Sequence, residues 1–147
     1  MNILSKIYNS KYFPRIFYVK PDGGKDSGVT GYFLIEWKVL FSIAILRFNI
    51  GSREAYHNHA FNALTWWLKG SVTEQKYAWT YKDLSWVSYT KYNPSFKPKF
   101  TPRSNCHRII AHETSYALTF RGPWLDYWYE IKNGCRTYLT HGRVEIK

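Results

Sequence analysis

The chain has 147 residues, with 21 Lys and Arg against 10 Asp and Glu, a formal net charge of +11 and 20% aromatic residues. This length fits one domain with its own core, and two cysteines are too few for a disulfide scaffold. No apolar run is long enough to span a bilayer and no signal-peptide pattern opens the chain, so we expect a cytoplasmic protein without a membrane segment. The positive charge favours anionic partners, either small molecules and nucleotides or nucleic acid.

Short strand-like runs separated by turn residues occupy most of the chain and predict an all-β barrel or sandwich. Aromatic residues within 1–20 indicate a short helix or an edge strand, and 21–28 reads as a loop. The predicted strands lie at 32–38, 40–49, 57–68, 72–80, 86–92, 108–111, 115–121, 124–131, 136–140 and 144–147. We expect 57–68 to pair with 72–80, and 108–111 to pair with 115–121.

Two segments between these strands carry clear local signals. Asn133-Gly134 predicts a β-hairpin, because both residues tolerate the positive φ of a type I′ turn. Residues 93–102 are too rich in proline for a central strand. Prolines at 94, 98 and 102 would keep this segment extended and stiff.

Three histidines form the most informative pattern in the chain. His57 and His59 are two residues apart, which places both side chains on one face of a strand. His107 follows on a later strand and could complete a set of three imidazole ligands for one metal ion. The alternative, which stays open, is that the three are core or hydrogen-bonding residues. His112 and His141 read as solvent-side turn residues.

The surroundings of these histidines resemble the two motifs of the cupin superfamily. Gly51, the H-x-H pair and Gly70 resemble the first motif, and Pro102 with His107 resembles the second. The Gly122-Pro123 box followed by Trp124 is similar to one found in small cupins of bacteria and bacteriophages. The resemblance covers about 32–131. It implies a single-domain, cupin-type double-stranded β-helix over 1–147, with an N-terminal extension at 1–30 and a tendency to form a homodimer.

The chain departs from the cupin pattern at one ligand position. The usual glutamate falls at Ala63, which cannot bind a metal. His57, His59 and His107 therefore resemble the three-histidine set of thiol dioxygenases, which implies Fe(II), with Ni, Cu or Zn as alternatives. Asn62 is a candidate fourth contact, as a weak oxygen ligand or a substrate anchor. If the site is degenerate, the barrel holds no metal.

Further residues are candidates for binding an anionic ligand. Between Asp83 and Glu113 there is no acidic residue, and cations alternate with aromatic rings in this interval, a composition that fits backbone neutralisation and base stacking. The candidate ligand-binding residues are Arg53, Tyr56, Asn62, Trp66, Lys97, Lys99, Arg103 and Arg121. The alternative for this segment is a solvated loop whose rings pack on the barrel.

Three functions fit these observations. The first is a metal-dependent enzyme, most simply a non-haem Fe(II) dioxygenase that acts on a small anionic molecule. The second is a non-catalytic cupin that binds or sequesters a nucleotide or another phosphorylated ligand. The third is a basic β protein that binds nucleic acid, with affinity that falls steeply with salt. Metal content and ligand-binding measurements separate them.

Overall fold

The computed structural model describes residues 3–8, 10–52, 55–79, 85–141 and 143–146. In chain order these form a short helix followed by a β-barrel of two antiparallel sheets. Helix α1 spans Ile3–Tyr8. The strands are β1 Arg15–Pro21, β2 Val29–Trp37, β3 Phe41–Phe48, β4 Gly51–Ser52, β5 Tyr56–His57, β6 Ala63–Lys69, β7 Val72–Trp79, β8 Ser85–Tyr92, β9 Lys99–Thr101, β10 His107–Ala111, β11 Ser115–Arg121, β12 Tyr127–Lys132 and β13 Cys135–Thr140. The all-β prediction is confirmed.

After β3 the chain passes repeatedly from one sheet to the other. One sheet has six strands in the order β1-β2-β3-β11-β6-β9. The other runs β13-β12-β5-β10-β7-β8, with β4 paired to β10. Consecutive strands therefore often lie in different sheets, which is the arrangement of a jelly roll.

This alternation overturns two predicted pairings. β6 and β7 are consecutive, yet β6 pairs with β11 and β9 whereas β7 pairs with β10 and β8. In the same way β10 and β11 do not pair, because β11 joins β3 and β6 in the other sheet. The turns between these strands carry the chain across the barrel and do not close hairpins.

The strand predicted over 57–68 is also divided in two. β5 ends at His57, and β6 begins at Ala63 in the opposite sheet. The crossover between them is fixed by backbone hydrogen bonds, in which Asn58 N donates to Tyr129 O and His59 N donates to Arg103 O. The H-x-H pair thus lies where the chain passes between sheets, and not along one continuous strand.

Other local predictions are confirmed. β12 and β13 form the expected hairpin, and Asn133 and Gly134 have φ values of 52° and 75°. The proline-rich segment contributes only the three-residue β9, at the edge of the six-stranded sheet. β1 is the opposite edge, so the first thirty residues supply a helix and an edge strand. Among the described residues, no helix is long and apolar enough to cross a membrane.

The interior of the barrel is partly apolar and partly polar. Trp67, Val72, Ala111 and Ala117 form a core cluster between the sheets, and Phe33 with its neighbours forms another. Polar side chains share the inward faces of the strands: Glu36, Ser42, Glu74, Thr119 and Arg121 are all buried. Cys106 is buried and Cys135 exposed, and both are free thiols. Because these polar groups interrupt the apolar core, the barrel interior is a candidate location for a functional site.

Candidate metal centre and its cavity

His57, His59 and His107 meet inside the barrel. His57 and His107 are register partners on the neighbouring strands β5 and β10, and His59 lies two residues further on, in the crossover. The ring centroids are 4.9 to 5.2 Å apart. One ligand nitrogen from each ring can be chosen so that all three lie within 4.8 Å of one another. The Nε2 atoms of His59 and His107 are 2.8 Å apart.

The surroundings keep two of these imidazoles neutral. Burial lowers the pKa of His59 well below its usual value, and the nearby His107 and Arg121 lower it further. Burial also lowers the pKa of His107, although Glu74 opposes this effect. Neutral imidazole is the form that binds a metal ion. The electrostatics of the cluster therefore suit metal ligation near neutral pH.

Glu74, which the sequence did not single out, holds His107 from behind. It lies on β7, its side chain is fully buried, and its carboxylate contacts His107 Nδ1. Lys99, Asn105 and Tyr92 also donate hydrogen bonds to it. Burial alone would raise the pKa of Glu74, but these bonds and charges outweigh it and the pKa is lowered. A carboxylate on Nδ1 leaves Nε2 of His107 to face the other histidines.

The donor set fits a transition-metal ion. Three imidazole nitrogens converge, one of them with its tautomer fixed by a carboxylate, and such nitrogens suit Fe, Ni, Cu and Zn. Within the part of the chain that the structure describes, the group contains no carboxylate ligand. Ala63 lines the same cavity at the position where the cupin pattern has its glutamate. Among the described residues, the candidate protein ligands are therefore the three histidines.

The histidines open onto a cavity of about 540 Å³, a size typical of small-molecule sites. The loop that precedes β2 forms part of its wall, and Trp124 and Trp128 form another part. Six basic side chains line it, against the two acids Asp22 and Asp26: Arg15, Lys20, Lys38, Lys99, Arg121 and Arg143. The lining thus carries more positive than negative groups, which suits an anionic ligand.

Arg121, which is buried, forms an ion pair in this cavity with Asp22, which is partly exposed. Arg121 Nη1 and Nη2 donate to the two carboxylate oxygens of Asp22 at 3.0 and 2.6 Å. Burial alone would raise the pKa of Asp22, but the charge and hydrogen bonds of Arg121 outweigh this, and the pKa is lowered. Asp22 therefore neutralises much of the positive charge with which Arg121 was predicted to bind a ligand.

A second group of side chains lies elsewhere in the cavity lining and was not predicted. Lys38 Nζ is 2.8 Å from His141 Nδ1 and 4.8 Å from the centroid of the Trp124 ring. Burial lowers the pKa of Lys38 to about 8. His141, expected on the solvent side of a turn, is exposed but also lines the cavity. No sequence motif marks this group, because its members come from three distant segments.

The predicted ligand-binding residues divide into two groups. Lys99 and Arg121 line the cavity. The others that the structure describes do not: Trp66 points outward and its neighbour Trp67 points inward, because side chains alternate along β6. Lys97 and Arg103 are exposed. Arg53 lies outside the described residues.

Tyr56 and Asn62 have structural partners instead of a place in the cavity. Tyr56 donates a hydrogen bond to Gln75 Oε1 at 3.1 Å, and Arg108 lies over its ring. The Asn62 side chain accepts a bond from Arg103 N at 2.9 Å. Asn62 thereby ties the crossover to the loop that leads to His107. It holds the histidines in place but does not reach them.

These features define a double-sheet β-barrel with a histidine cluster in an internal cavity. The structure is similar to a cupin-superfamily sugar phosphate isomerase of Silicibacter pomeroyi, with a TM-score of 0.54, 9% identity and coverage of 89% of this chain and 92% of that one. KdgF of a Halomonas species gives a TM-score of 0.53 at 13% identity, with coverage of 76% of this chain and 97% of that one. A conserved Streptococcus pyogenes protein of unknown function gives a TM-score of 0.50 at 12% identity, with coverage of 67% of this chain and 77% of that one. No model of a protein family and no curated protein matches the sequence.

The chain therefore has the cupin fold, a double-stranded β-helix. The prediction made from the H-x-H and second-motif boxes is confirmed at this level. At such low identities the likeness concerns the fold alone, so the activity must be argued from the site.

Proposed function

We propose that this cupin-fold protein is a metal-dependent enzyme of the non-haem dioxygenase type, with His57, His59 and His107 as its ligands and a small anionic molecule as its substrate. The observation that carries the proposal is the convergence of three imidazoles inside a cavity, with one of them fixed by a buried carboxylate. Fe(II) is our first choice because a three-histidine set without a carboxylate resembles that of thiol dioxygenases. Ni, Cu and Zn are the alternatives.

The protein groups have separate tasks in this proposal. Glu74 holds His107 with Nε2 toward the other ligands, and the crossover holds His57 and His59. The bound metal would supply Lewis acidity and, as Fe(II), redox chemistry with O₂. Phe61 and Trp124 contact each other and form an aromatic part of the cavity wall. The basic lining attracts the anionic substrate.

Elemental analysis of purified protein tests the proposal. We expect about one transition-metal ion per chain, counted against protein concentration, and loss of that ion in the double variant His57→Ala, His59→Ala. His112→Ala is the matched control, since His112 is exposed and contacts Thr73 instead of the cavity. Protein that stays metal-free after incubation with Fe(II), Ni, Cu and Zn salts would contradict the proposal. Oxygen consumption with small carboxylates and thiols then tests the reaction class.

The second candidate is a binding protein that takes up a nucleotide or another phosphorylated molecule without a reaction. The basic lining beside Trp124 and Trp128 favours it, because aromatic faces stack on bases. Calorimetry with a panel of nucleotides at low salt distinguishes the two candidates. Tight nucleotide binding by metal-free protein would favour the binding protein, and no binding of any nucleotide at low salt would count against it.

A further inference from the structure

Most of the positive charge in the cavity is already neutralised by the protein. Four of the six basic lining residues have a carboxylate partner at an N···O distance of 2.5 to 2.9 Å: the pairs are Lys20–Glu36, Lys99–Glu74, Arg121–Asp22 and Arg143–Glu130. Arg15 stacks its guanidinium over the Tyr18 ring at 3.9 Å. A count of positive residues therefore overstates what the cavity offers to an anion.

Lys38 is the exception. Its ammonium contacts the His141 ring and the face of Trp124, and no carboxylate of the described residues lies within 4.0 Å of it. Burial lowers the pKa of Lys38 more than the charge of Glu36 raises it, and a bound anion would recover part of the free-energy cost of burying the ammonium. The ammonium also has three N–H groups, which can donate hydrogen bonds to a carboxylate or a phosphate. Lys38 is therefore the best-placed cation for a ligand.

A row of aromatic rings connects Lys38 with the metal centre. His59 and Phe61 have centroids 5.2 Å apart, Phe61 and Trp124 are also 5.2 Å apart, and Trp124 lies 4.8 Å from Lys38 Nζ. The row itself is aromatic, and the Arg121 guanidinium lies over the Phe61 ring, 4.8 Å from its centroid. A molecule that reaches from one end to the other would lay an apolar or flat body against Phe61 and Trp124.

From this arrangement, and resting on the proposed function, we infer the substrate class: an elongated molecule with a terminal carboxylate or phosphate held by Lys38, an apolar or ring-shaped body on Phe61 and Trp124, and its reactive end at the three histidines. Lys38 is then the residue that selects anionic substrates. The anion is bound at the end of the cavity away from the metal ligands, so its binding does not require a metal.

Calorimetry on metal-free protein tests this inference with phenylalkanoates whose chains carry two, four or six methylene groups, with the corresponding phenylalkyl phosphates, and with the uncharged alcohols. We expect the acids or phosphates to bind, and Lys38→Met to weaken them at least about tenfold, the loss of one charge-assisted hydrogen bond. Lys38→Arg should keep most of the affinity. Lys97→Met is the control, because Lys97 is exposed and does not line the cavity. The stronger of the two anionic series identifies the head group.

Three results would overturn the inference: no binding of any anionic probe by the wild type, equal affinity in Lys38→Met, or an equal loss for the uncharged alcohols in that variant. Thermal melts of both Lys38 variants show whether they fold. The metal content of the same proteins is measured separately. If the protein binds metal but Lys38→Met does not weaken anion binding, the proposed function stands and only the inferred substrate class is wrong.

Discussion

At the scale of the residue, the site keeps a carboxylate but uses it differently from the cupin motif. Ala63 removes the glutamate that would bind the metal. Glu74, from a different strand, contacts Nδ1 of His107 instead. A carboxylate on the far side of the imidazole ring orients the histidine and raises its basicity without occupying a coordination position. With a metal bound by the three histidines, the position that the motif's glutamate would have taken would be open to a substrate.

Removing this carboxylate should weaken metal binding while the three histidines stay in place. We expect Glu74→Gln to lower metal affinity about 10- to 100-fold, the usual effect of losing a partner behind a histidine ligand. Competition with a chromophoric chelator measures it. Tyr92→Phe removes another hydrogen bond to Glu74 and should leave affinity near that of the wild type. Equal affinities in Glu74→Gln and the wild type would show that Glu74 serves stability alone.

Sequence motifs revealed the three histidines but not the residues that support them. Spacing and flanking glycines revealed His57, His59 and His107, since local motifs are visible in a single chain. Glu74, Asp22 and Lys38 reach the site only through sheet register and loop packing, which no local spacing encodes. Trp66, which we predicted as a ligand-binding residue, does not line the cavity, whereas Trp67 does, because a shift of one residue changes the face of a strand.

At the scale of the element, hairpin signals were reliable and strand order was not. The Asn133-Gly134 turn depends on two residues that accept positive φ, and its hairpin formed as predicted. The turn at Gly70 looked similar, yet it sends the chain from β6 to β7 in the other sheet. Turn residues specify local backbone shape, whereas the packing of two apolar sheets decides which strand comes next to which.

The turn at Gly70 gives a prediction at this scale. Its φ is +96°, and an added Cβ would lie 2.1 Å from Ser115 Oγ and 2.7 Å from Ser115 Cα. Gly70→Ala should therefore lose about 1–2 kcal/mol from the left-handed backbone and more from the steric overlap. Gly134→Ala is the matched control, with φ +75° and nothing within 4 Å. Urea unfolding curves compare the two, and equal losses would refute the role of Ser115.

At the scale of the whole molecule, the barrel interior depends on carboxylates that stay ionised. Burial alone would raise the pKa of Asp22 and Glu36, but Arg121 lowers the first, and Lys20 and Lys38 lower the second. Both folded values lie below the ordinary 3.8 and 4.5, so the unfolded chain binds more protons as the pH falls. Their contribution to stability is complete above those values and is lost as the pH drops through the folded ones.

Acid should therefore destabilise the protein progressively below about pH 4.5, where unfolded carboxylates begin to take up protons. Urea unfolding between pH 7 and pH 3 measures this. Asp22→Asn should lose about 3–5 kcal/mol at pH 7, because it leaves the buried Arg121 without its counter-charge. Asp126→Asn should change nothing measurable, since Asp126 pairs with Lys11 at the surface and is 83% exposed. A flat pH profile in the wild type would contradict this prediction.

The crossover at 58–62 gives the histidine cluster a mechanical consequence. His57 and His107 belong to the seven-stranded sheet, and His59 lies on the segment that leads into the other sheet. An ion bound by all three would act as a removable cross-link between the two halves of the barrel. Occupancy of the centre and rigidity of the barrel would then rise and fall together, so the protein with metal bound should resist thermal unfolding better than the metal-free protein.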